Sequence, residues 1–355
     1  MKILVSNLGS TSFKYKLFDM PGGQVLARGG MDRIGGTGSV HTYQLGDGEE
    51  IEAQVSLPDH ASAIDEALAR LIGPEGVLAS LEELNAVGFK TVHARAISGV
   101  VELDQDVVSR MVEYYPLAPA HNPAYVAAIE QFARVAPDAS RIGCFESAFH
   151  GQTPLRRQLY AVPYEWYEKY GVRRYGFHGA SHRYASEKVI ELEGTDQLRH
   201  VNCHLGGSSS LCAVKNSVSM GATHGLSPQS GLLGICGHND MRDIEEGAAA
   251  GDERCGLAIE VLTSAVRDYL GAYVIELGGL DVVSFTGGIG EHSTIVRQQI
   301  LAGLEFLGVE LDDTKNQQTY GEGMLHAADS KVRIYVLRTD EELIVAKQTY
   351  EFLND

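Results

Sequence analysis

Two strand–turn–strand units of like composition, about half a chain apart, constrain this sequence more than any other feature. The first is Asn7-Leu8-Gly9-Ser10-Thr11-Ser12-Phe13-Lys14, set between the alternating runs Ile3–Val5 and Phe13–Phe18. Alternating apolar and polar residues mark a half-buried strand, and a small polar turn with glycine closes a hairpin. The second unit is His204-Leu205-Gly206-Gly207-Ser208-Ser209-Ser210-Leu211, with strand patterns at Arg199–Cys203 and Leu211–Val214. A third glycine turn, Thr286-Gly287-Gly288-Ile289-Gly290-Glu291, follows the apolar run Val282–Phe285.

One such turn alone is an ordinary hairpin. Two matching copies and a third Gly-x-Gly turn change the reading. Small residues let backbone N–H groups approach an anion closely, and serine hydroxyls add donors. The three turns are expected to surround one nucleotide. Lys14, on the strand leaving the first turn, would reach a phosphate oxygen as a point charge.

The remaining pattern is mixed α/β. Strands are predicted at 2–6, 13–19, 24–31, 39–44, 50–56, 86–92, 141–145 and 332–337. Asp59 reads as an N-cap ahead of Ala61, Ile64, Leu68 and Leu71, and Pro123 sits near the first turn of a helix reaching about Val135. Residues 253–277 predict a long, largely buried helix. Another follows the third turn with Val296, Ile300, Leu304 and Leu307, and a last one runs through Phe352. Two similar α/β halves result, each opened by a hairpin and covered by helices, with a ligand cleft expected between them.

The 355 residues are enough for two domains with full cores. A formal net charge of -18 with no Lys/Arg cluster argues against a nucleic-acid duplex or an anionic membrane surface as partner. Five cysteines, an odd number with no C-x-x-C pair, read as buried free thiols in a reducing compartment. With no signal-peptide core and no membrane-length apolar run, a cytoplasmic protein is expected. The P-loop pattern G-x-x-x-x-G-K-[ST] is missing, and Gly287–Gly290 lacks the last glycine of the dinucleotide fingerprint. No G-x-S-x-G elbow accompanies the histidines. The His178-to-His182 spacing crosses a glycine turn, which makes an unmetallated polar role the better reading than zinc.

At this point the chain resembles the acetate/propionate kinases nearly end to end. Asn7–Lys14 is similar to their first phosphate motif, and Leu117–Pro123 to the next block. Tyr175-Gly176-Phe177-His178-Gly179-Ala180-Ser181-His182 resembles the central signature. His204–Ser210 is similar to the second phosphate motif, Phe285–Ser293 to the adenosine motif, and Asp340–Leu343 to the C-terminal magnesium block. The resemblance implies a duplicated actin-like/sugar-kinase (ribonuclease H-like) α/β fold of two domains, residues 1–149 plus 343–355 and residues 150–342. An interdomain cleft would hold the nucleotide.

It also implies reversible, Mg2+-assisted in-line phosphoryl transfer between ATP and acetate or propionate, giving acyl phosphate and ADP, with Mn2+ as a substitute metal. By position, Asn7 and Glu341 would organise the metal. Ser10, Ser12, Lys14, His204, Leu205, Gly206, Gly207, Ser208, Asp240, Met241 and Arg242 would hold the nucleotide. Gly288, Ile289, Gly290, Glu291 and His292 would complete that site. Lys90, Val92, Ala120, His121 and Phe177 would bind the acid, and Glu146 and His178 would be catalytic. The family is homodimeric, so a homodimer is implied here.

The acid side departs from the family. Its arginine is Lys90 here, its catalytic aspartate is Glu146, and the asparagine of its second phosphate motif is Gly207. Between Met220 and Gly231 several dozen family residues, including a second arginine, are missing, and Gly225–Gly234 joins the two ends. A phosphoryl-clamping arginine is worth roughly 10³–10⁵ in rate. Two readings stay open. One is a working acyl kinase whose pocket, enlarged at Ala120, takes acetate, propionate or a larger acid such as butyrate. The other is a nucleotide-binding relative with weak or lost acyl kinase activity and a regulatory role.

Overall fold

Alternation along the strands decides which face of each sheet a residue takes, and so which side chains meet at the strand ends. The computed structural model describes residues 1–94, 96–119, 121–225 and 233–355. Ala120 and most of the joined segment lie outside the described residues. By internal contacts the chain divides into Met1–Ala148 with Glu341–Asp355, and Phe149–Asp340.

The first unit carries Lys2–Leu8 (β1), Ser12–Asp19 (β2), Gln24–Asp32 (β3), Ser39–Leu45 (β4), Ile51–Val55 (β5), Ala86–Thr91 (β6), Val100–Glu102 (β7) and Ser140–Phe145 (β8). They form one sheet in the order β5-β4-β3-β2-β1-β6-β8-β7. β1, β6 and β8 run parallel, and the other pairs are antiparallel. Leu4, Leu8, Phe13, Tyr15, Val87 and Phe89 share a core with helices His60–Leu71 and Asn122–Val135. Asp59 caps the first of these helices, accepting from Ser62 N at 2.8 Å.

Ile3, Val5, Phe18 and Ala86 take the opposite face and meet Val345 and Ala346 of the C-terminal helix Glu341–Asn354. That helix lies so close that a Cβ on Gly88 would come within 2.5 Å of Thr349 Oγ1. Counting by twos from Ile3, Phe18 and Ala86 places Asn7, Lys14, Lys16 and Lys90 on this same face.

The second unit carries Arg199–His204 (β9), Ser210–Lys215 (β10), Val218–Ala222 (β11), Val282–Thr286 (β12), Gly323–Met324 (β13) and Arg333–Val336 (β14). Their order is β11-β10-β9-β12-β14-β13. β9, β12 and β14 are parallel, with β10 and β11 added antiparallel on one side. The run β11-β10-β9-β12-β14 therefore repeats β3-β2-β1-β6-β8 in order and direction. Two α/β halves, each opened by a hairpin, were the expectation from the recurring turns.

Three local expectations change. Helix Glu253–Leu277 has the expected bounds, but Leu257, Val261 and Ile275 are 50%, 45% and 83% exposed. Only the stripe through Cys255, Ile259, Val266, Leu270 and Tyr273 meets the core, although the helix is apolar beyond that stripe. Residues Gly287–His292 form a short helix instead of a turn. The next helix, Thr294–Leu301, ends before Leu304, with Gly303 at φ +73° just beyond it. All five cysteines are free, and four of them are buried. Among the described residues no helix is long and apolar enough to cross a membrane.

Candidate functional site

In the first unit the charged residues gather at the carboxyl ends of the parallel strands. Lys90 is next to last in β6, Glu146 follows β8, and Glu341 opens the C-terminal helix. Lys90 Nζ lies 2.9 Å from Glu146 Oε1 and 2.5 Å from Glu341 Oε2. Burial works against the ammonium charge, but the two carboxylates outweigh it and hold the Lys90 pKa well above its ordinary range. Lys90 is therefore a permanent cation.

Asn7 Nδ2 donates to Glu342 Oε1 at 3.1 Å, and Lys16 Nζ lies 3.6 Å from Glu342 Oε2. Asn7 thus meets Glu342, one residue beyond the predicted Glu341. The first turn is closed by Gly9 N donating to Ser12 O at 2.9 Å, with Ser10 exposed. Lys14 is exposed and borders, with Lys16, Arg28 and Glu342, a hollow of about 220 Å³. Val92 is half-buried, and His121 is exposed at the start of helix Asn122–Val135. The buried Asn122 amide anchors that loop by donating to His93 O at 2.8 Å and Met111 O at 2.9 Å.

In the second unit the second and third glycine segments meet at Leu205. Leu205 N donates to Thr286 O at 2.7 Å, and Leu205 O accepts from Ile289 N at 2.9 Å and Gly290 N at 3.1 Å. Gly287 makes this approach with φ +77°, and a Cβ there would come within 2.6 Å of Leu205 O. Gly206, Gly207, Gly288, Ile289 and His292 consequently line one cavity with Asp240, Met241 and Arg242, of about 580 Å³. That volume falls within the roughly 300–1,000 Å³ of small-molecule sites.

Asp240 caps helix Met241–Ala249, accepting from Arg242 N at 2.9 Å. The Arg242 guanidinium forks onto the same carboxylate and pulls its pKa down to about 2. A Cβ on Gly207 meets nothing within 4 Å, so the backbone has room for the larger residue of the family pattern. Ser208 Oγ reaches His224 Nε2 only at 3.5 Å, and burial raises the pKa of the half-buried Glu291.

Ser293, the last residue of the adenosine motif, also lines the cavity, as do Asn239 and Glu245, which were not expected from the sequence. Arg297 was missed too. It is fully buried, and it donates to Gly290 O and Glu291 O at 2.9 Å, to Asn316 Oδ1 at 2.8 Å, and to Asn316 O and Thr319 O. All these acceptors are neutral, and burial lowers its pKa to about 10. Arg297 ties down the end of the short glycine-rich helix. An arginine in an amphipathic helix reads in sequence as a solvated residue, so no signal marked it.

Beside the cavity lies a layer of histidines. His178 has φ +57°, left-handed backbone that non-glycine residues rarely adopt, at the start of helix Gly179–Glu193. Its Nδ1 is 2.8 Å from Ser210 Oγ, and its ring centroid is 4.1 Å from that of His204 and 4.8 Å from that of His224. His204 Nδ1 lies 2.7 Å from Ser181 Oγ. Phe177 is buried, and its carbonyl accepts from His150 Nε2 at 3.2 Å. Burial pushes His150 and His224 down to about 4 and His200 to about 3, and His182 well below its ordinary value. These four rings are neutral at pH 7. Among the described residues, no three His, Cys, Asp or Glu side chains converge to hold a metal ion by themselves.

Two halves of one strand order, with a glycine-lined cavity at the strand ends of the second, define a duplicated α/β protein with a small-molecule site. The particular family follows from comparison with known proteins: the Acetokinase family profile matches residues 2–232 and 226–347, and the chain belongs to that family. It is 39% identical over 395 aligned residues to the acetate kinase of Carboxydothermus hydrogenoformans, covering 99% of each chain. It is 38% identical to that of Phocaeicola vulgatus over the whole of both. Among solved structures it superposes on Porphyromonas gingivalis acetate kinase with TM-score 0.86 at 34% identity, covering 99% of each. A propionate kinase from Francisella tularensis gives TM-score 0.86 at 30% identity and 98% coverage.

Proposed function

We propose that this protein is an ATP-dependent short-chain carboxylate kinase, transferring a phosphoryl group reversibly between ATP and acetate or propionate. The observation that carries this reading is end-to-end similarity to acetate kinases together with the Lys90–Glu146–Glu341 cluster. Two side chains differ from the family pattern, yet they differ together. The longer carboxylate arm of Glu146 reaches the shorter cation of Lys90, so cation and carboxylate remain paired at the strand ends.

In this reading the cavity between Gly206–Ser208 and Gly288–His292 takes the nucleotide, with Asp240–Arg242 at its rim. Ser10, Ser12 and Lys14 contribute phosphate contacts. Asn7 and Glu341 would hold Mg2+. With its amide nitrogen turned to Glu342, Asn7 presents Oδ1 as a hard oxygen, which suits a metal that takes its other oxygens from water and phosphates. When bound, Mg2+ neutralises charge on the phosphate oxygens. Lys90 supplies a second fixed positive charge, and Glu146 holds it in place. His178 donates to the transferring phosphoryl group, while Val92, Ala120, His121 and Phe177 shape the acid site. Such a transition state needs alignment and charge neutralisation more than covalent chemistry.

The exposed Leu257, Val261, Ile275 and Phe306 support a homodimer in which a second copy covers apolar surface. Free cysteines fit a reducing, cytoplasmic setting.

One observation favours the second reading, a nucleotide-binding regulatory relative. The alignment to the curated relative needs 395 positions for a chain of 355 residues, and the two profile matches meet at 226–232. By the resemblance, this is where the family's arginine-bearing segment would be missing. A steady-state assay with MgATP and acetate, propionate or butyrate, trapping acyl phosphate with hydroxylamine, separates the two. ATP binding without turnover on any of these acids would sink the kinase reading.

A further inference from the structure

Six side chains of the second unit form one hydrogen-bonded chain that ends on His178. His200 Nε2 lies 2.7 Å from Ser284 Oγ, which donates to Asn202 Oδ1 at 2.7 Å. Asn202 Nδ2 lies 2.8 Å from His182 Nδ1. His182 Nε2 lies 2.9 Å from Ser210 Oγ, and Ser210 Oγ lies 2.8 Å from His178 Nδ1. The first five residues are at most 2% exposed, so water does not compete for these bonds. The backbone sets up this run. His200, Asn202 and His204 are alternate residues of β9, turned away from Val201 and Cys203 in the core, and Ser284 pairs with Asn202 across β9 and β12.

The chain has a direction. An amide NH2 only donates, so His182 Nδ1 accepts from Asn202 and the single proton of the neutral imidazole sits on Nε2. That N–H donates to Ser210. The one hydroxyl proton of Ser210 then points at His178 Nδ1, which leaves the His178 proton on Nε2. The far end supports this direction. His200 Nδ1 is buried with no hydrogen-bond partner among the described residues. As drawn, it is a bare lone pair. In the reverse direction it would be a buried, unpaired N–H, the rarer and costlier defect.

We propose that Asn202, His182 and Ser210 are positioning residues that set the tautomer of His178, so that its Nε2 carries the proton and serves as donor to an anionic phosphoryl oxygen. The inference rests on the kinase reading for the identity of that oxygen, but the tautomer itself does not. The opposite tautomer would present a lone pair to the anion. With the direction set in the folded protein, no side chain has to reorganise when charge develops on the phosphoryl group. Burial holds the pKa values of His150, His182 and His224 low, so these neighbouring rings add no positive charge around His178.

Nitrogen-15 NMR on histidine-labelled protein reads the tautomers directly. In the wild type, His178 is expected with Nε2 protonated and Nδ1 bare. Asn202→Asp replaces the donor facing His182 by an acceptor, which reverses the chain and moves the His178 proton to Nδ1. The kcat of acyl phosphate formation is then expected to fall by ~10²-fold, the usual loss of one transition-state donor, with the KM for ATP held. Ser210→Ala, for use if Asn202→Asp does not fold, breaks the link and mixes the His178 tautomers, and Ser210→Thr restores the single one. A wild-type His178 protonated on Nδ1, or a tautomer unmoved by both Asn202→Asp and Ser210→Ala, overturns the proposal. The expected tautomer switch without acyl phosphate from the wild type on any acid upholds the chain and overturns the kinase reading instead.

Discussion

The Glu146 carboxylate lies 2.9 Å from the Lys90 ammonium, and both side chains are mostly buried at the strand ends of the first unit. Glu341 meets the same ammonium from the C-terminal helix at 2.5 Å. Removing the cation leaves two carboxylates facing each other out of water. Lys90→Met is therefore expected to destabilise the protein by about 3–5 kcal/mol, read from chemical unfolding. Glu146→Gln keeps the volume and one acceptor, so it should lower kcat far more than ATP affinity. Equal losses in both would assign Glu146 a structural role.

Gly287 tests the meeting of the two glycine segments. Gly287→Ala puts a Cβ into a φ of +77° and against the Leu205 carbonyl. A loss of about 1–3 kcal/mol is expected from the backbone strain, with nucleotide affinity falling at least ~10-fold by calorimetry. At Gly288 a Cβ meets nothing within 4 Å, so Gly288→Ala should leave the unfolding temperature unchanged.

Arg297 tests the support beneath the cavity. A lysine cannot reproduce a fork that serves acceptors on the short helix Gly287–His292 and on helix Asp313–Gln318 at once. Arg297→Lys should cost about 2 kcal/mol or more through carbonyls left unpaired in the interior. Nucleotide affinity should drop with it, although Arg297 does not line the cavity. Unchanged nucleotide binding in a folded variant would refute the supporting role.

The histidine layer makes stability depend on pH. The folded pKa values of His150, His200 and His224 are about 4, 3 and 4, against an ordinary value near 6.5. Below that value the unfolded chain binds protons that the folded chain refuses. This contribution is whole above pH 6.5 and is lost as the pH falls toward 4. Each such histidine costs about 1.4 kcal/mol per pH unit in that window. Urea midpoints should fall steeply from pH 7 to 5, and His200→Gln should flatten the slope by about 1.4 kcal/mol per pH unit. A slope unchanged by His200→Gln would mean that the ring is charged or solvated in the folded state.

Acid preference is the remaining test on the substrate side. By the resemblance Ala120 replaces a leucine of the family, and in the proposed reading the smaller side chain would admit a longer acyl chain. Butyrate is expected to show a higher kcat/KM than acetate, and a preference for acetate would refute it.

Much of the fold was legible in the residues. The alternation in β1, β2, β9 and β10 marked the hairpins, Asp59 marked a helix start, and Gly287–Gly290 marked a tight approach before any partner was known. These signals are local, because side-chain period, cap chemistry and glycine content act within a few residues. The pairing of β1 with β2 and β6, which only the tertiary structure shows, placed Asn7, Lys14 and Lys90 on one sheet face. The sequence did not say that Glu342, rather than Glu341, would take the Asn7 amide.

What the tertiary structure decided is what lies beyond each face. His200, Asn202 and His204 alternate with Val201 and Cys203, a pattern that in sequence reads as a strand with one side in water. Helix Gly179–Glu193 covers that side, with His200 and Asn202 buried and His204 half-buried beside it. Buried polar groups must find partners, and here the partners come from β9, β10, β12 and the covering helix. Periodicity determined from sequence alone which residues share a face. Only the packing of distant segments decided that this face is dry, and dryness turns a row of polar side chains into a directed hydrogen-bond chain.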